Sequence, residues 1–190
     1  MNLIEACDNS APRLVKLLIS NFSGFRDETL YKKRWICFYK RAQIAVADLN
    51  AALYLNLEGM ERLTTFADYR VPQLLRHVGV LEYNKELADT VDNRVELSGK
   101  QEAYIRAATV VAVDRLVKAY NLKNTNAHTT AVKMDWHLWQ VGEEFNQKQQ
   151  DETSSSSQYH LLLDYPIVFQ CIESTSSPVP RDCDLPIVQI

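Results

Sequence analysis

Ala42-Gln43-Ile44-Ala45-Val46-Ala47-Asp48-Leu49-Asn50-Ala51-Ala52-Leu53-Tyr54-Leu55-Asn56-Leu57 is the stretch from which the fold is read. Ala42, Val46, Leu49, Leu53 and Leu57 recur at steps of three and four, so they share one helical face, with Lys40, Arg41 and Asn50 elsewhere. The spacing predicts a core helix over roughly 38–57, ended by Gly59. Five Gly and six Pro in 190 residues favour long helices over many-stranded sheets, and the chain is expected to be all-α.

On the N-terminal side, residues 11–20 read as a helix that stops before Ser23-Gly24. On the other side, Thr64 to Arg70 reads as a loop, followed by Val71-Pro72. The residue before a proline avoids the α region, so Val71 is expected to be extended. Pro72 then suits the first turn of a short helix, Gln73 to Val78, with Gly79 as its C-terminal cap. Residues 82–100 read as short helix plus loop. A long helix is expected from Gln101, with Ile105, Ala108, Ala112, Leu116 and Tyr120 on one face and Ser98 and Gln101 forming a capping box. Residues 128–145 read as a further helix, with Val132, Trp136 and Trp139 at helical spacing. The organisation expected is a helical domain over 1–147, a disordered Gln/Asp/Ser-rich linker over 148–158 and a divergent tail over 159–190.

A net charge of −3 argues against a long nucleic-acid partner, though not against a single nucleotide. Cys7, Cys37, Cys171 and Cys183 form no C-x-x-C, so no metal is expected, and scattered thiols suit the cytoplasm or the nucleus. No apolar run reaches about twenty residues and the N-terminus lacks a signal-peptide core, so neither a membrane span nor a leader is expected. Gly-rich phosphate loops, G-x-S-x-G, H-E-x-x-H and EF-hand loops are missing, which removes the commonest kinases, hydrolases and metalloenzymes.

Two carboxylates stand in aromatic settings. Asp68, in Phe66-Ala67-Asp68-Tyr69-Arg70, either meets a ligand's N–H donors or caps the helix that follows. Asp135, in Asp135-Trp136-His137-Leu138-Trp139, either works in a low-polarity site that raises its pKa or is an exposed aspartate beside two core tryptophans. Lys40, Arg41, Arg34 and Arg70 are cations with the reach to bind a phosphate, or are simply solvated. His77 and His137 read as structural histidines.

Four blocks together resemble one family: Phe38-Tyr39-Lys40-Arg41-Ala42-Gln43-Ile44, Phe66-Ala67-Asp68-Tyr69-Arg70-Val71-Pro72-Gln73, Ile105-Arg106-Ala107-Ala108-Thr109 and Asp135-Trp136-His137-Leu138-Trp139. Their order and content resemble the queuosine salvage proteins, queuosine 5′-phosphate N-glycosidases, over roughly residues 14–145. The resemblance implies a helical fold related to helix-hairpin-helix DNA glycosylases. It also implies cofactor-free and metal-free hydrolysis of the bond between ribose and a 7-deazaguanine base, releasing queuine. It carries base contact to Phe66 and Asp68, and site roles to Asp135 and Trp136. The family often has an acidic residue five positions after that aspartate; Gln140 stands there, as a substrate-binding position without the charge. An acidic position before Ile105 is Tyr104 in this chain. Family members usually begin well before the segment matching Leu14, and that region supplies part of the pocket, including a histidine. They also close on a Tyr-His-Arg-Thr-like block, from which the chain departs after Tyr159-His160. A shortened form is therefore expected.

Leaving-group departure builds positive charge on ribose, which a fixed carboxylate stabilises. We assign that part to Asp135 and the base's N1–H and 2-amino edge to Asp68, with Phe66 or Trp136 stacking on the base. Arg70 and Lys40 are candidates for the 5′-phosphate. The expected partner is a small molecule. The competing readings are a ligand-binding or regulatory protein without turnover and, further off, a DNA glycosylase.

Overall fold

The computed structural model describes residues 3–154, with side chains through Lys148; the tail over 159–190 and the end of the linker lie outside the described residues. In chain order the elements are α1 (Leu3–Ala6), α2 (Ala11–Asn21), β1 (Glu28–Tyr31), β2 (Arg34–Cys37), α3 (Lys40–Ala52), α4 (Arg70–His77), α5 (Lys85–Asp92), α6 (Gly99–Lys123) and α7 (Ala131–Ser154), with single 3-10 turns at Ser23–Phe25 and Met60–Arg62. The described chain is all-α apart from one antiparallel hairpin, in which Glu28 faces Cys37 and Tyr31 faces Arg34. Lys32 and Lys33 close it with φ of 46° and 65°. Those values make a two-residue type I′ turn, whose twist matches that of the strands it joins. Two lysines carry none of the usual Asn-Gly signal for such a turn, and the sequence reading missed the hairpin.

Two apolar cores lie side by side. The first packs Leu14, Val15 and Leu18 of α2 against Ala42, Val46 and Ala47 of α3, with Leu57, Leu63 and Phe66 closing it. The second packs Val71, Leu74 and Leu75 of α4 against Ala112, Val113 and Leu116 of α6 and Met134, Leu138 and Val141 of α7. α7 joins them, because its Val132 belongs to the first core and its Leu138 to the second. Asp135 sits between those two residues, at the seam.

Several elements depart from expectation for local reasons. The helix expected over 38–57 begins at Lys40, because Tyr39 is left-handed at φ 49°, and ends at Ala52. The Asn50 side chain takes the Leu57 amide at 2.8 Å, and the turn so formed folds Leu57 into the first core. Val71 is helical rather than extended, since α4 starts at Arg70. One oxygen of Asp68 accepts the amides of Arg70 and Val71 at 3.0 and 3.1 Å. Pro72 then falls in a first turn whose N–H groups have no helical acceptor to lose. Gly79, at φ 76°, does cap α4: its amide reaches Arg76 and that of Val80 reaches Leu75, a Schellman pattern.

In α6 the capping box forms as expected, Gln101 donating its amide to Ser98 Oγ and Ser98 donating its own to Gln101 Oε1. The buried face is Ala103, Thr109, Ala112, Val113 and Leu116, while Ala108 is exposed. Apolar residues stand on every side of this helix, so spacing alone did not single out the inward one. α7 begins at Ala131 rather than 128, because the Asn121 side chain pairs with both backbone groups of Thr129 at 3.0 and 2.8 Å. It runs to Ser154, so residues 148–154 continue the helix instead of opening a linker.

Candidate active site

The loop over 63–69 crosses the seam between the cores. Ala67 is left-handed, at φ 46°, which is uncommon for a residue with a Cβ. The chain turns there: Phe66 enters the first core, whereas Asp68 lines a cleft of about 520 Å³. Lys40 and Arg41, in the first turn of α3, line the same cleft, as do Ile105 and Arg106 of α6. Three of the four sequence blocks therefore meet around one cavity of the size usual for small-molecule sites.

The fourth block lies behind the wall. Asp135 is 2% exposed and does not line the cleft. Its Oδ1 accepts the Thr65 hydroxyl in a short hydrogen bond and the Phe66 amide at 2.9 Å. Burial raises its pKa above the usual carboxylate value; the bonds from Thr65 and Phe66 oppose this, the Asp68 charge adds to it and the Lys40 charge opposes it. The two carboxylates are therefore within electrostatic reach, one on the wall and one beneath it. An exposed aspartate beside two core tryptophans is the reverse of what is found: the aspartate is interior, while Trp136 and Trp139 are 39% and 42% exposed.

The other expected residues fall elsewhere. Phe66 is a core residue, 4% exposed. Trp136 and Gln140 are on the outer side of α7 and do not line the cleft. The Arg70 guanidinium joins α4 to α7, donating to Glu143 at 2.6 Å and to Gln73 at 3.0 Å. Phosphate binding by Arg70 would have to break that ion pair. Lys40 and Arg41, unlike Arg70 and Arg34, line the cleft. His77 packs against the Phe145 ring, centroids 4.2 Å apart.

Two residues to which no role was given complete the wall. Arg106 donates to Asp27 twice, at 2.8 and 2.5 Å, and to the Ala67 carbonyl at 3.1 Å. Burial works against the Asp27 charge, but the Arg106 bonds, the Lys40 amide and both cations outweigh it and hold that carboxyl below its usual range. Arg106 was visible in its block; Asp27, in an irregular segment before an unexpected hairpin, offered no signal. No group of side chains suited to a metal is found among the described residues. No described helix is long and apolar enough to cross a membrane.

Fold and cleft together define a helical domain with a small-molecule-sized cleft lined by both cations and carboxylates. A profile of the queuosine salvage protein family matches residues 1–161, and the chain belongs to that family. A Dictyostelium discoideum queuosine 5′-phosphate N-glycosylase/hydrolase is 40% identical over 147 residues, 74% of this chain and 45% of that protein. Proteins of the same name from Sphaerobacter thermophilus and Mus musculus are 38% and 36% identical, over 74% and 76% of this chain and 45% and 46% of theirs. The chain thus spans less than half the length of these relatives.

Proposed function

We propose that the chain takes part in hydrolysis of the N-glycosidic bond of queuosine 5′-phosphate, releasing queuine. The carrying observation is that three blocks distant in sequence converge on one cleft with Asp68 on one wall and Lys40 and Arg41 on another. Asp68 spends one oxygen on capping α4, and its second is used by neither of those bonds. That acceptor suits the N1–H and 2-amino edge of a guanine-like base. Lys40 and Arg41 suit a phosphate, Arg41 through its planar fork of donors. Asp135 supplies negative charge behind the Thr65–Phe66 backbone, on the side we assign to the sugar. A base with carbon in place of N7 cannot be helped by protonation there, so fixed charge and base contacts carry the load. We place the reaction in the cytoplasm or the nucleus, which four scattered cysteines without a C-x-x-C suit.

A second reading, binding without turnover, is favoured by Asp135 lying buried behind the cleft wall rather than on it. Incubation with queuosine 5′-monophosphate separates the two. Release of queuine supports the hydrolase, and a thermal shift without release supports a binding protein. Absence of both overturns the assignment. Asp68→Asn is expected to weaken binding and Asp135→Asn to slow single turnover; full activity in Asp135→Asn removes it from the chemistry. Arg41→Ala is expected to weaken the nucleotide while leaving free queuine unaffected.

A further inference from the structure

We propose that Arg106 and Asp27 form a positioning pair that holds the Asp68 loop in its ligand-binding shape; this rests on the assignment of Asp68 to the base. Ala67 is the one residue between the core-facing Phe66 and the cleft-lining Asp68, and its left-handed backbone is what turns them to opposite sides. A non-glycine residue in that region carries strain that its surroundings must hold. The holding contact is the Arg106 Nε bond to the Ala67 carbonyl.

The rest of the guanidinium is surrounded by three residues. Asp27 takes both terminal nitrogens, Glu102 lies 3.7 Å away one turn earlier on α6, and the Phe38 ring lies beneath at 4.1 Å. Asp27 is itself held, since Oδ2 accepts the Lys40 amide at 3.0 Å and its carbonyl accepts the Phe38 amide at 2.9 Å. A bidentate carboxylate fixes the plane of a guanidinium, which a lysine ammonium has no means to reproduce. One ion pair thus ties the hairpin, the start of α3 and α6 to the backbone one residue before Asp68. Arg106 acts through Asp68, so its effect must vanish when Asp68 no longer works.

The test is a double-mutant cycle on the full chain, read by binding of queuosine 5′-monophosphate and of free queuine. Arg106→Met is expected to weaken both ligands about tenfold or more, as displacement of a binding group does. In the Asp68→Asn background it is expected to add little. Arg106→Lys is expected to recover only part of the loss. Equal losses from Arg106→Met with and without Asp68→Asn, or wild-type binding by Arg106→Met, overturn the proposal. Hydrogen exchange at the Arg70 and Val71 amides, which Asp68 caps, gives a readout that needs no ligand. Those amides are expected to lose protection in Arg106→Met while the Leu138 amide keeps its own; unchanged protection also overturns the proposal. If wild type binds neither ligand, the base assignment fails, and the exchange result still decides whether the pair holds the loop. Should Arg106→Met not fold, Asp27→Asn is read in the same way.

Discussion

Replacing Asp135 tests what a buried carboxylate at the seam does for the fold before any question of chemistry. Asp135→Ala removes the acceptor for the Phe66 amide and the Thr65 hydroxyl, both in residues less than 5% exposed. A buried donor left without a partner costs about 1–3 kcal/mol, and the hydroxyl loses part of that by rotating elsewhere. Relief of the buried charge offsets some of it. The expected loss is about 2–4 kcal/mol, a large share of a typical domain stability of about 5–15 kcal/mol. Asp135→Asn keeps a carbonyl acceptor and sheds the charge, so its expected cost is about 0–1.5 kcal/mol. The pH dependence gives a second check. The folded pKa is raised above the usual 3.8, so between those values the folded state holds a proton that the unfolded state has released. Stability therefore falls as pH rises through that window, is level above it, and loses this contribution in Asp135→Asn. Urea titrations of wild type and both variants from pH 3.5 upward measure all of this. Asp135→Ala within about 0.5 kcal/mol of wild type, or Asp135→Asn costing as much as Asp135→Ala, refutes the reasoning.

Asp27 carries the opposite sign: its folded pKa is depressed, so its stabilisation is full above the ordinary carboxylate value and is lost as pH falls through the depressed one. Asp27→Asn should flatten the acid limb of a stability profile. A Cβ at Gly142 would sit 2.9 Å from Arg70 Cγ. Gly142→Ala gains about 1 kcal/mol of helix propensity but costs about 1–3 kcal/mol in overpacking, so chemical denaturation should show a net loss of up to about 2 kcal/mol. Ser98→Ala removes the capping box of α6, an expected loss of about 1 kcal/mol in the same assay. Lys32→Asn with Lys33→Gly places the preferred pair in the type I′ turn, and the melting temperature should rise for a gain of about 0.5–1 kcal/mol.

Much of the architecture was legible because helices are specified locally. Steps of three and four marked α3, the Ser98 and Gln101 pair marked the start of α6, and Gly79 marked the end of α4. The four blocks carried the family without coordinates. What spacing left open was which side of each element faces inward. Trp136 and Asp135 are adjacent, and composition favoured the indole for the interior. Only packing at the seam, where the Thr65 hydroxyl and the Phe66 amide need an acceptor, decides for the carboxylate. The same holds for the cations: Arg70 and Arg41 were equivalent by type, and position separates them, one against Glu143 and the other on the cleft. Asp27 and Arg106 lie 79 residues apart in the chain, and no local pattern encodes their pairing. Periodicity reports what a residue does for its own element; a cavity wall is built by contacts between elements, which exist only once the chain has folded.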